Sequence, residues 1–177
     1  MLLHAQSSKL LKLLGCFVGS GVIAISAQIC IPLIPVPITL QTLGVFLVGA
    51  LLGARYGAFA VLLYLAEGMA GAPVFAKFSS GLHVIFGPTG GYLIGFVFAA
   101  YLTGALFERL KKRTFFSVFL AGLAGELVSL LAGYLQLTHF VGYYKAFTVG
   151  IMPFIIGDFL KLTLFALLMS SPRGKKS

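Results

Sequence analysis

The sequence predicts an all-α membrane protein, a bundle of six transmembrane helices. Hydrophobic residues make up 59% of the 177 residues and charged residues only 10%, whereas soluble domains carry about 25% charged residues. The hydrophobic residues also fall into six runs, as expected when each run crosses a bilayer as a helix. No change of composition divides the chain, so residues 1–177 are expected to form a single integral membrane domain.

Charge, glycine or proline bounds each of the six predicted spans. The second and third spans hold 15 and 13 residues, fewer than the roughly 20 that a full crossing requires. They therefore either extend through residues 53–57 or cross only in part. Along the chain, the six spans are 10–31, 38–52, 58–70, 92–107, 115–137 and 149–169.

Basic residues predict the orientation of the bundle. Six crossings place both termini on one side, which then holds ten lysines and arginines, against Lys77 and Lys145 on the other. Because Lys and Arg concentrate in cytoplasmic loops, both termini are expected in the cytoplasm, with segments 32–37, 71–91 and 138–148 outside. The ten residues are Lys9, Lys12, Arg55, Arg109, Lys111, Lys112, Arg113, Arg173, Lys175 and Lys176.

Residues 71–96, GAPVFAKFSSGLHVIFGPTGGYLIGF, are unusually rich in glycine, proline and aromatic residues. Glycine and proline disfavour a continuous helix. Irregular backbone at membrane depth persists only where protein covers it or where it lines a watery cavity. The segment therefore predicts a ligand-binding pocket on the external side, with a plain extramembrane loop as the alternative.

Two charged residues interrupt the last apolar run, Asp158 and Lys161. Each costs about 2.5–3.5 kcal/mol at the centre of a lipid-facing helix. Their i, i+3 spacing places them on one face, from which they can offer an acceptor and an ammonium donor to a ligand in the bundle. A mutually neutralising pair that only packs the bundle is the alternative.

Other polar residues in the apolar runs leave two interpretations open. Glu67 and Glu126 are carboxyl groups that either serve the site or make hydrogen bonds between helices. Gln41 and Thr39 follow the proline-rich segment 32–37. They either line the same pocket or cap the second helix.

The first span contains two pairs of small residues four apart, Gly15 with Gly19 and Ser20 with Ala24. Small residues let a neighbouring helix approach closely. They either pack against helices of the same chain or form a docking surface for another membrane subunit.

Several classes of function are disfavoured. The three histidines, at positions 4, 83 and 139, have no Cys or His partner at metal-ligand spacing, so no metal site is expected. Ser79 and Ser80 near His83 lack an orienting acid and an oxyanion site, so no catalytic residue is assigned. The GxxxxGK[ST] phosphate loop is absent from the sequence, and the basic residues lie between membrane spans rather than on a nucleic-acid surface.

Five segments in order along the chain resemble the BioY family, the biotin-binding S components of energy-coupling factor (ECF) transporters. The resemblance implies a six-helix bundle of the ECF S-component type, located with other multi-pass proteins in the bacterial cytoplasmic (inner) membrane. It implies capture of biotin from outside and delivery with a transmembrane coupling subunit and ATPase subunits, which use the ATP; no cofactor is implied. The segments are VPITLQTLG (36–44), LGARYG (52–57), GAPVFAKFSSG (71–81), GPTGGYLIGF (87–96) and PFIIGDFLK (153–161).

The resemblance also implies a set of substrate-binding residues. Asp158 and Lys161 match the polar pair of the family's last helix, and Gln41 matches its external segment. These groups suit the ureido ring or the carboxylate tail of biotin, and which pole meets Lys161 stays open. The apolar ring is expected to lie against aromatic side chains, namely Phe75, Phe78 and Tyr92.

Two further hypotheses stay open at the level of sequence. An intramembrane enzyme requires a nucleophile, a base and oxyanion donors that converge. A structural membrane scaffold leaves Asp158 and Lys161 without a purpose. A substrate-capture subunit accounts for the irregular external segment, the intramembrane ion pair and the lack of an ATP motif together.

Overall fold

The computed structural model describes residues 2–170, with side chains from residue 10 onward. Arg173, Lys175 and Lys176 lie outside the described residues, as does the side chain of Lys9. The elements are α1 Leu2–Gln28, β1 Cys30–Ile31, β2 Ile38–Thr39, α2 Gln41–Leu52, α3 Ala54–Met69, a 3₁₀ turn at Ala76–Phe78, α4 Leu82–Ile85, α5 Gly90–Arg109, α6 Phe115–Val141, α7 Tyr143–Gly150 and α8 Phe154–Met169.

Each predicted span contains a helix, which confirms the all-α fold class. Three described segments are long and apolar enough to cross a membrane, namely Leu10–Gln28, Gly90–Arg109 and Phe115–Val141. Helices α7 and α8 meet at 44° and make a fourth crossing if they are counted as one span. Helices α2 and α3, of 12 and 16 residues, are shorter than a full crossing requires, so the number six stays a prediction.

Two expected connections differ in the structure. The segment 138–148, expected as a loop, is mostly helical, because α6 continues to Val141 and α7 begins at Tyr143. Gly142 separates them with a φ of 78°, a conformation that glycine adopts without steric cost. The first helix ends at Gln28, and the residues after it form a two-stranded antiparallel hairpin in which Cys30 pairs with Thr39.

Helix α5 packs against α2, α3 and α6, and glycines bring α2, α3 and α5 close together. A Cβ atom at Gly49 would lie 2.5 Å from the carbonyl oxygen of Ala100. A Cβ at Gly104 would lie 2.6 Å from the carbonyl oxygen of Gly49, and one at Gly57 would lie 2.7 Å from the Gly49 Cα. Real Cβ atoms do not make such contacts, so only glycine permits this crossing.

The small residues of α1 face the interior of the protein. A Cβ at Gly19 would lie 3.1 Å from Cγ1 of Val48 on α2 and 3.2 Å from Cβ of Ala60 on α3. Ser20 is fully buried, and its hydroxyl donates a hydrogen bond to Glu67 on α3.

The remaining two small residues follow the same pattern. A Cβ at Gly15 would lie 2.9 Å from Cδ2 of Leu52, and Ala24 packs against the hydrophobic core. The structure therefore favours packing within the chain over the predicted docking surface. The opposite face of α1 carries large exposed hydrophobic side chains, including Leu14, Phe17 and Ile25.

Candidate functional site

A cavity of about 360 Å³ lies between the hairpin, the 71–91 segment and helices α2, α5, α6 and α8. This volume is within the range of small-molecule sites, about 300–1,000 Å³. Of the residues predicted to bind substrate, four line it, namely Gln41, Phe75, Tyr92 and Lys161. A cavity is therefore present where the sequence predicts the pocket, and the irregular segment forms one of its walls.

The irregular wall is folded tightly around a left-handed turn. The backbone N–H of Phe75 donates to the carbonyl oxygen of Ser79 at 3.0 Å. Between them, Lys77 and Phe78 have φ angles of 60° and 56°, which non-glycine residues adopt uncommonly. The turn directs Phe75 inward, where it is buried, and leaves Phe78 with 70% of its surface exposed.

Phe78 does not belong to the cavity wall, contrary to the expectation from the sequence. Its side chain is outside the lining, whereas Lys77 and Ser79, its neighbours in sequence, are part of it. The reason is the left-handed backbone at both Lys77 and Phe78, which reverses the chain direction after the buried Phe75. This placement corrects the expectation for Phe78.

Two glutamines from long helices hold the irregular wall in place. The Gln28 side chain of α1 donates to the carbonyl oxygens of Val74 and Phe75, at 3.2 and 3.1 Å, and accepts from the N–H of Phe78 at 2.9 Å. The Gln136 side chain of α6 donates to the carbonyl oxygens of residues 85 and 87, at 2.9 and 2.7 Å. Backbone groups away from water need such partners. Neither role is predicted from the sequence, where each glutamine is only an amide side chain within an apolar run.

Gln41 reaches the cavity from the start of α2. Its Nε2 donates to the Tyr64 hydroxyl at 2.6 Å, and that hydroxyl donates to the carbonyl oxygen of Val74 at 3.2 Å. The Tyr64 ring also packs edge-on against Phe75, with centroids 5.5 Å apart. Gln41 is therefore a lining residue whose amide orientation is fixed, while the Thr39 hydroxyl accepts from the Gln41 backbone N–H at 3.2 Å.

Tyr92 is held flat against the opposite wall. Its hydroxyl donates to the carbonyl oxygen of Gly150 at 2.7 Å, and its ring stacks on Phe154 with centroids 5.9 Å apart. Gly133 leaves room for this ring, since a Cβ there would overlap it. An aromatic face in a fixed position is a suitable surface for an apolar ring of a ligand.

Asp158 and Lys161 form an ion pair at the inner end of the cavity. Nζ of Lys161 lies 2.6 Å from Oδ1 of Asp158, and both side chains are only 6% exposed. Nζ also donates to the carbonyl oxygen of Thr39 at 3.1 Å. Lys161 lines the cavity and Asp158 lies behind it. Oδ2 of Asp158 has no hydrogen-bond donor among the described residues, so the pair retains capacity for a ligand.

The two glutamates left open by the sequence have different surroundings. Glu67 accepts the hydrogen bond from Ser20, so it links α3 to α1 as the helix-helix alternative predicts. Glu126 instead lines the cavity on α6, where it is only 2% exposed. Its place in an apolar run identifies it as an intramembrane carboxyl group but does not assign it to the site.

Two basic residues lie on the exposed part of the cavity wall, Lys77 and His83. The cavity therefore has a buried polar end, at Lys161 and Glu126, and an exposed basic end. No group of three or more potential metal ligands occurs within the part of the chain that the structure describes.

Comparison with known proteins places the chain among membrane transporters. The sequence model of the BioY family matches residues 4–175. "Biotin transporter BioY" of Thermotoga maritima is 41% identical over 158 residues, covering 89% of this chain and 92% of that protein. "Probable biotin transporter BioY" of Pyrococcus horikoshii is 39% identical over 169 residues, covering 96% and 99% of the two chains.

A solved structure shares the fold. It is the S-component for biotin from an ECF-type ABC transporter, determined at 2.1 Å. The TM-score is 0.80 with 30% sequence identity, and the match covers 92% of this chain and 90% of the other.

Proposed function

Because this chain belongs to the BioY family, we propose that it is the biotin-capture subunit, or S component, of an ECF transporter. Family membership confirms the resemblance drawn from the sequence and makes the protein a transporter rather than an enzyme. The observation that carries the proposal is the cavity with a buried ion pair, in a chain 41% identical to a biotin transporter.

The polarity of the cavity supports one orientation of biotin. Its ureido ring has two N–H donors and a carbonyl acceptor, and its tail ends in a carboxylate. We place the ring at the buried end, where Lys161 donates to the carbonyl oxygen. Asp158 lies just outside the lining, and its unused Oδ2 becomes accessible to a ureido N–H when the Lys161 ammonium turns toward the ligand. The tail then points to the exposed end, where Lys77 provides positive charge and the His83 ring offers a hydrogen-bond donor.

The remaining contacts follow from this orientation. The apolar thioether ring of biotin lies against the faces of Phe75 and Tyr92, which are buried at the cavity wall. Gln41, fixed by Tyr64, offers an amide to the ureido group. Rigid aromatic and amide groups lower the entropy that binding must overcome.

Equilibrium binding of radiolabelled biotin to the purified chain tests the proposal. We expect saturable binding with one site per chain, competed by unlabelled biotin and not by a fatty acid with the same tail length. A wild-type protein that is folded but does not bind biotin would overturn the proposed function.

ATP is expected to have no effect on biotin binding by the isolated chain. A ligand shifts an equilibrium only when it interacts with one of the states, and the chain has no phosphate-loop sequence. Binding measured with and without ATP should therefore agree. Uptake into proteoliposomes should require ATP together with added coupling and ATPase subunits. ATP hydrolysis by the isolated chain would contradict the assignment of that activity to the ATPase subunits.

We further propose that the protein lies in the cytoplasmic membrane as one domain with both termini inside, as the excess of basic residues predicts. A reporter fused after Ser177, or inserted at Lys111, is then expected to report the cytoplasm. A reporter inserted at Lys77 is expected to report the exterior. A C-terminal reporter found outside would contradict the six-span topology.

A further inference from the structure

One buried carboxyl group at the cavity has no partner in the proposed site. Glu126 lies on α6 among the lining residues and is 2% exposed. Its Oε2 has no hydrogen-bond partner in the described chain. Leaving a polar atom buried and unpaired is unfavourable, and more so for a charged group. A partner is therefore expected to arrive with the ligand.

The neighbours of Glu126 leave its Oε2 without a well-formed hydrogen bond. Asp158 and Lys161 approach it from α8 and Thr42 approaches it from α2, and the Asp158 carboxyl group and the Thr42 hydroxyl lie within hydrogen-bonding reach of the Glu126 carboxyl group. The Lys161 ammonium is already engaged with Asp158 at 2.6 Å and with the Thr39 carbonyl oxygen at 3.1 Å. One cation thus serves two carboxyl groups.

The nearest hydroxyl groups do not satisfy Glu126 Oε2 either. Ser129, one turn further along α6, directs its hydroxyl to the backbone carbonyl oxygen of Glu126 at 2.9 Å. Thr42 Oγ1, like Glu126 Oε2, lacks a hydrogen-bond partner among residues 10–170. From α5, the neighbouring cavity wall is formed by apolar side chains, Leu93 and Phe96.

We propose that Glu126 determines specificity by accepting one of the two ureido N–H groups of the substrate. This inference rests on the proposed function. A cyclic urea presents one acceptor flanked by two donors, and the buried end of the cavity presents one ammonium donor beside two carboxyl groups. With Lys161 on the carbonyl oxygen and Asp158 Oδ2 on one N–H, Glu126 accepts the other N–H. The site therefore selects rings that carry both N–H groups.

Two biotin analogues test this assignment, each with one ureido N–H replaced by a methylene group. Hydrogen bonds to charged groups contribute about 1.5–3 kcal/mol, so wild-type protein should bind each analogue at least about 10-fold more weakly than biotin. The Glu126→Met variant has a side chain of similar length without an acceptor. It should bind biotin about 10-fold more weakly, and it should no longer discriminate against one of the two analogues.

Glu126→Gln is the conservative variant, because its amide oxygen still accepts a hydrogen bond. It should recover part of the lost affinity and discrimination. Glu67→Gln is the matched control, since Glu67 is also intramembrane but bonds to Ser20 outside the cavity lining. That control should discriminate between biotin and both analogues as the wild type does.

The outcomes separate the two proposals. Wild-type protein that fails to bind biotin overturns the proposed function. Wild-type protein that binds biotin, together with a Glu126→Met variant that keeps full discrimination against both analogues, overturns the role of Glu126 alone. If Glu126→Met does not fold, Glu126→Leu decides, because it also lacks an acceptor and full discrimination against both analogues in that variant likewise overturns the assignment.

Discussion

Replacing Lys161 with methionine is expected to remove most of the biotin affinity and to destabilise the protein. The variant loses the donor that we assign to the ureido oxygen, which is worth roughly 1.5–3 kcal/mol, or about 10- to 150-fold in affinity. It also leaves Asp158 buried without its cation. Breaking one side of a buried ion pair costs about 3–5 kcal/mol. Biotin binding and thermal unfolding in detergent measure the two effects.

A second substitution separates the binding role from the structural role. Asp158→Asn alone should weaken biotin binding by roughly 1.5–3 kcal/mol. Combined with Lys161→Met, it removes both charges and is expected to recover stability, because neither charge is left unpaired. Affinity should stay low in this double variant, since the ammonium is absent. Native affinity in a folded double variant would make the pair structural only.

The position of the ion pair on one face of the last helix could be predicted from sequence. A charged side chain in a membrane-spanning helix is so unfavourable that few explanations of its presence remain. Asp158 and Lys161 share a helix, so their spacing alone places them on one face. Their contact at 2.6 Å follows the expectation. The sequence does not determine which of the two faces the ligand, and the structure places Lys161 at the cavity with Asp158 behind it.

Contacts between residues far apart in the chain could not be predicted from the sequence around each residue. Glu126 and Lys161 lie on different helices, and only the packing of α6 against α8 brings them to one cavity. Gln28 likewise donates hydrogen bonds to the carbonyl oxygens of Val74 and Phe75, which lie 46 and 47 positions further along the chain. A single sequence reports the polarity of each residue, whereas the partner depends on how the helices pack.

Backbone conformation explains the local errors. The fifth predicted span ends at residue 137, whereas α6 continues to Val141 and the chain resumes as α7 directly after Gly142. The exposed position of Phe78 depends on left-handed φ angles at two non-glycine residues, which sequence patterns predict poorly. The outer face of α1 is apolar like its inner face, so hydrophobicity alone does not identify the face that packs inside.

Replacing Gly19 with leucine is expected to unfold or strongly destabilise the isolated protein. A Cβ at this position already lies 3.1–3.3 Å from the side chains of Val48, Ala60 and Leu52, so the rest of a leucine side chain has no space between α1, α2 and α3. Overpacking of this kind costs about 1–3 kcal/mol and sometimes more. The unfolding temperature should fall, and the biotin affinity should fall with it because α2 carries Gln41.

Gly21→Leu provides a matched control on the same helix, two residues away. A Cβ at Gly21 has no atom within 4 Å, so the same side chain enters open space there. We expect its unfolding temperature and biotin affinity to equal those of the wild type. If Gly19→Leu instead kept full stability and binding but lost association with a coupling subunit, the inner face of α1 would be a docking surface. The close approach of Gly19 to α2 and α3 predicts the opposite order, with stability lost before assembly, because the added side chain meets the protein's own helices before any partner.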